Sequence, residues 1–72
     1  MKTEIDSIMP EGYGHKKVTI IYTNGKKYSA VTNDMPTVDA YRTEVFTRKD
    51  QRTVNAARRA LINIVKRRHS LR

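Results

Sequence analysis

Cysteine and tryptophan are absent from this 72-residue chain; phenylalanine occurs once, proline twice and glycine three times. Without cysteine there is no disulfide and no thiolate metal site, so stability has to come from packing or association. Long apolar runs are missing too. The clearest one, Val18 to Tyr22, covers five residues, far short of a bilayer span, and the N-terminus lacks the basic-then-apolar order of a secretion signal. A cytoplasmic protein without membrane contact is the expectation. Catalytic patterns are equally scarce. The seven carboxylates are scattered, and the two histidines, His15 and His69, stand 54 positions apart. Nothing reads as a triad, a phosphate loop or a zinc motif. The expectation is therefore a non-enzymatic protein with no cofactor and no metal, in which His15 is an exposed histidine at a loop end.

A chain of this length forms one domain and buries only about 60% of its unfolded surface. That margin makes a homodimer, or docking on a larger partner, an expectation as well.

What the chain does have is positive charge, unevenly placed. Residues 47–72 hold nine of the fifteen lysines and arginines and a single acid, Asp50, for +8, whereas residues 1–46 hold six basic and six acidic residues and sum to zero. The basic segment also has the clearest helical period. With each residue advancing about 100° on a wheel, Val54, Ala57, Ala60, Leu61, Ile64 and Val65 share one arc. Lys49, Arg52, Asn55, Arg59, Asn63, Lys66 and Arg67 occupy the opposite one. Thr47 and Asp50 resemble a capping box with Asp in place of Glu, and Lys66, Arg67 and Arg68 suit the negative end of a helix dipole. A principal helix is predicted over residues 48–68.

The rest of the chain reads as smaller elements. Residues 1–15 contain Pro10, Gly12 and Gly14 and few apolar anchors, so they are expected to be arm or loop, with at most a short strand over Thr3 to Ile8. Residues 17–32 carry Asn24 and Gly25 between two runs of β-branched and aromatic residues, the signature of a hairpin. A two-residue turn would mix polar and apolar side chains on both faces. A three-residue loop, with Gly25 in the left-handed region, pairs Tyr22 with Lys26, Ile20 with Tyr28 and Val18 with Ala30, and collects the apolar residues on one face. Ile21 and Val31 then fall on the more polar side. Residues 35–46 read as a short helix, with Asp34 or Thr37 as cap, Pro36 in the first turn, and Val38, Tyr41 and Val45 as its buried stripe. The fold class is thus α+β: a hairpin, or a hairpin plus a third short strand, packed on a short helix and a long basic C-terminal helix. Its expected core is Val18, Ile20, Tyr22, Tyr28, Val38, Tyr41, Val45, Val54, Ala57, Leu61, Ile64 and Val65.

The stretch VTIIYTNGKKYSA resembles the second hairpin of double-stranded-RNA-binding domains, and Ala56, Ala57, Ala60 and Leu61 after Lys49 are similar to their C-terminal helix. The resemblance implies phosphate contacts at the basic start of that helix. It covers about half the chain and departs from the family at Asp50, Gln51 and Thr53, where the family prefers lysine. About a dozen extra residues also separate hairpin from helix, and sixteen N-terminal residues are too few for the family's first helix and strand.

Independently of that resemblance, Lys49, Arg52, Arg59, Lys66 and Arg67 span roughly 25 Å at 1.5 Å per residue, enough to follow a phosphate backbone or enter a major groove. Asn55 and Asn63 lie between them and complete the candidate site. Arg58 and Arg68 flank the apolar arc, where they can cover core or pair with acids of residues 33–46. The expected partner is nucleic acid, DNA or RNA. The competing reading is a protein-binding module, such as an adaptor, an inhibitor or a phage or mobile-element accessory protein, that docks on an acidic protein surface. Tyr13, between two glycines, is the tyrosine expected to be exposed.

Overall fold

The structure, a computed structural model, describes residues 2–42 and 48–72, with the side chains of residues 48–50 outside the described set. Three antiparallel strands, β1 (Glu4–Gly12), β2 (His15–Ile21) and β3 (Lys27–Thr32), form a sheet in the order β1-β2-β3. Two helices follow, α1 (Met35–Tyr41) and α2 (Arg48–Arg68). The fold is α+β, with the main helix over the residues expected of it.

Where arm or loop was expected over residues 1–15, the chain forms a nine-residue strand. Ile5 and Ile8 are three apart, which a regular strand would send to opposite faces. A register shift between Ile5 and Ser7 restores the parity, so that Ile5 stands opposite Ile20 and Ile8 opposite Val18. This bulge makes β1 amphipathic. Pro10 is tolerated because β1 is an edge strand, and Gly12, Tyr13 and Gly14, all at positive φ, make the turn into β2.

The β2–β3 hairpin adopts the bulged register. Val18 faces Ala30 and Ile20 faces Tyr28. The Tyr22 N–H donates to the Lys26 carbonyl at 2.9 Å, and the Gly25 N–H to the Tyr22 carbonyl at 2.8 Å. Gly25 has φ of 81°, and Asn24 Oδ1 accepts from the Lys26 N–H at 2.9 Å. Thr19 and Ser29 join hydroxyls at 2.8 Å on the side away from the helices.

Asp34 caps α1, its Oδ1 accepting from the Thr37 N–H at 3.3 Å and its Oδ2 from the Thr37 hydroxyl at 2.6 Å. The helix spans Met35–Tyr41 with Arg42 as its C-cap, against the 35–46 expected; Val45 and the rest of residues 43–47, and the Asp50 side chain, lie outside the described residues. At its other end α2 closes in a Schellman turn. The Leu71 N–H reaches back to the Lys66 carbonyl at 2.7 Å and the Ser70 N–H to the Arg67 carbonyl at 3.3 Å. Ser70 has φ of 54°, a position usually given to glycine.

One layer of helix covers one face of the sheet. Val18, Ile20, Ala30, Val38, Leu61 and Val65 form the buried cluster, with Ala57 also buried. Tyr22, Tyr28, Tyr41 and Ile64 pack against it half-buried, as do Ile5, Ile8, Met35 and Ile62, which the sequence reading left out. Val54 is half-buried. The opposite sheet face stays open, and Val31 on it is 51% exposed.

Because Leu61 has no exposed surface, Leu61→Ala is expected to cost about 2–5 kcal/mol, a large fraction of the stability of so small a domain. An unchanged midpoint in a cooperative melt would reject this packing. Ser70→Gly is expected to have the opposite sign, a gain of about 0.5–1 kcal/mol, because glycine adopts positive φ without the Cβ clash. A lower melting temperature for this variant would mean that the turn does not have this geometry.

Candidate nucleic-acid interface

The side of α2 opposite Ala57, Leu61 and Val65 faces away from the sheet. Arg52, Asn55, Arg59, Asn63 and Arg67 are exposed there, and Lys66 is half-buried at the margin. Lys49 belongs to the helix, but its side chain lies outside the described residues. From Arg52 to Arg67 the array runs about 22 Å along the axis. Its register follows from the packing, since the residues that fix Leu61 in the core turn Arg59 and Asn63 outward.

The charges of Arg52, Arg59, Lys66 and Arg67 have no ion-pair partner among the described residues. Among the described residues the one ion pair is Lys27 Nζ to Asp6 Oδ2 at 3.5 Å, on the far side of the sheet. Asn55 is partly engaged, since its Oδ1 accepts from Gln51 Nε2 at 3.1 Å one turn earlier; Asn63 is exposed. The two flanking arginines separate. Arg58 is half-buried, as a residue covering core would be. Arg68 is exposed and lines a shallow concavity of about 510 Å³ with Glu11, Lys17, Ser29, Ala30 and Val31. Of the acids of residues 33–46, neither Asp34 nor Asp39 lines that concavity, and Glu44 lies outside the described residues.

Sequence reading missed the C-terminal turn. His69 Nε2 lies 2.7 Å from the Ser29 carbonyl oxygen, on the outer edge of β3. Its ring is tilted against Tyr28, with centroids 5.2 Å apart, and Tyr28 meets Tyr22 edge-on. The Tyr22 hydroxyl donates to the Arg72 carbonyl. Residues 69–72 therefore tie the end of α2 to the hairpin. The cluster of basic residues after Val65 gave the only hint, a helix terminus, and no hint of where it would land.

His15 begins β2 half-buried, not fully exposed as expected of a loop-end residue. Tyr13 is fully exposed, as expected. Among the described residues no group of three or more His, Asp or Glu side chains is placed to hold a metal ion, and no helix is long and apolar enough to cross a membrane. Comparison with protein-family models, with curated proteins and with solved structures finds no match to this chain.

Packing cations along one helix costs free energy through mutual repulsion, which salt screens over a Debye length of about 30 Å at 0.01 M and about 3 Å at 1 M. The melting temperature of the free protein is therefore expected to rise by several degrees when sodium chloride is raised from about 0.02 M to 0.5 M. A flat or falling dependence would show that the charges are already neutralised, for instance by another copy of the chain.

Proposed function

We propose that the protein binds nucleic acid, without catalysis, through the outward face of α2. Lys49, Arg52, Arg59, Lys66 and Arg67 meet phosphates in this reading, and Asn55 and Asn63 lie within reach of sugar or base edges. The observation that carries it is the one-sidedness of the helix: its inner face is buried core, and its outer face is a row of cations with no ion-pair partner among the described residues. A helix used only as packing has no need of this. Surface charge kept for solubility is ordinarily mixed in sign and dispersed, whereas here the net +8 resides in residues 47–72.

Against an enzyme stand the dispersal of the carboxylates along the sequence and the positions of the histidines. His69 is engaged with Ser29 and Tyr28, and His15 opens a strand. With five to seven phosphates neutralised, log affinity is expected to fall against log salt with a slope of about −4.5 to −6.3.

The test is a titration against duplex DNA, duplex RNA and single strands at two salt concentrations. The triple variant Arg52→Glu, Arg59→Glu, Lys66→Glu runs alongside, with circular dichroism to confirm its fold. Binding by the natural sequence should be steeply salt-dependent, and the variant should lose at least about a hundredfold. A folded triple variant that binds as well as the natural sequence would exclude this face. No binding by the natural sequence at low salt would turn the search to an acidic protein surface.

A further inference from the structure

The C-terminal turn has a consequence for where charge lies on the molecule. His69 on Ser29 and Tyr28, and Arg72 on Tyr22, hold the end of α2 against the β2–β3 hairpin near its tip. Asn24, in the tip itself, has its Nδ2 3.4 Å from the Tyr28 hydroxyl. Lys26 is distant in sequence from Arg72, yet both meet Tyr22 at the tip end of the hairpin, whereas Arg68 lies beside Glu11 and Lys17, toward the β1–β2 turn.

The two lysines are not equivalent. Lys26 is paired across the turn with Tyr22, whose side chain packs against the core beneath the helices. Lys26 therefore leaves the strand on the helix side, exposed and outside any ion pair among the described residues. Lys27 is paired with Ile21 and leaves on the open side, where its ammonium is 3.5 Å from Asp6. One lysine is left without an ion pair among the described residues, on the helix side and close to Tyr22, which holds Arg72. The other is partly neutralised on the opposite surface.

Resting on the nucleic-acid reading, we infer that the partner is a duplex, and that Lys26 is a phosphate contact at the end of the track that begins at Arg52. Rigidity is the first argument. The array sits on a 21-residue helix whose far end is pinned to the hairpin, so the points from which its cations extend are held at set spacings. A duplex, with a persistence length of about 50 nm, presents phosphates at set spacings too, so only side chains, and neither backbone, need be ordered on association.

The second argument is that, among the described residues, no exposed tyrosine forms a stacking platform beside α2. Proteins that hold single strands do so with a basic groove plus exposed aromatic rings on which bases stack. Among the described residues, Tyr22, Tyr28 and Tyr41 pack against the core. The fully exposed Tyr13 is in the β1–β2 turn, at the other end of β2 from the tip. The cationic side thus presents no exposed tyrosine among the described residues, and the exposed ring of His69 is already set against Tyr28, which suits paired bases and a continuous backbone.

The experiment uses the full chain and two single variants of identical charge change, Lys26→Glu and Lys27→Glu, titrated against a duplex of about 25 base pairs and a single strand of the same length across a salt series. Lys26→Glu is expected to weaken duplex binding roughly five- to tenfold at low salt and to reduce the salt slope by about 0.9, one phosphate contact. Lys27→Glu should change affinity by less than about twofold, and the natural sequence should prefer duplex at least tenfold. Equal losses from the two variants, a larger loss from Lys27→Glu, or single strands bound as tightly as duplex would overturn the inference. If the natural sequence binds and the triple α2 variant does not, while Lys26→Glu is silent, only this inference falls. If the natural sequence binds no nucleic acid, the wider reading falls with it.

Discussion

Burial of one sheet face under α2 is the interaction on which everything else depends. A three-stranded sheet of six- to nine-residue strands has little stability unless its apolar face is covered, and an amphipathic helix of this composition gains most of its stability from packing, not propensity. Val18 and Ile20 from the central strand meet Leu61 and Val65 from the helix, with Val38 of α1 and Ala30 of β3 completing the cluster. Neither layer is independent. Once Leu61 and Val65 point inward, the 3.6-residue period leaves Arg52, Arg59 and Arg67 no direction but outward. The electrostatic face is thus a geometric consequence of the core, and losing the core contact would scatter the cations.

That coupling sets two forces against each other. Apolar burial holds the helix in place, while the charges on its outer side repel one another and find no ion-pair partner among the described residues. Salt relieves the second force in the free protein and, on the proposed reading, weakens association with a polyanion. Free and bound protein should therefore respond to ionic strength with opposite sign. A marginal domain whose repulsion is relieved by its ligand is also stabilised by it.

The parts of the fold legible in the sequence were those with an uninterrupted period or a specific turn. The helix over residues 48–68 showed its stripe across several turns. The Asn24-Gly25 hairpin showed its register, because only the bulged pairing put Val18, Ile20, Tyr22, Tyr28 and Ala30 together. β1 was hidden because its two isoleucines are three apart, and the bulge that reconciles them has no residue signature of its own. The outward face of α2 followed from the wheel alone. The docking of His69 and Arg72 on the hairpin did not, because it depends on a Schellman turn at Ser70, a residue that does not advertise positive φ, and on contacts between residues 40 and 50 positions apart.

The edges of the sheet have a consequence for behaviour at high concentration. A free strand edge invites another chain to add its own strand, and on the proposed reading chains gathered side by side on a polyanion would meet often enough for this to matter. Both edges here resist it by different means. β1 is interrupted by the bulge after Ile5, by Pro10, and by the acids Glu4, Asp6 and Glu11, so two such strands laid together would bring like charges face to face. β3 has an outer carbonyl, that of Ser29, already taken by the imidazole of His69. Neighbouring molecules can then crowd without merging their sheets, and a high local density need not become aggregation.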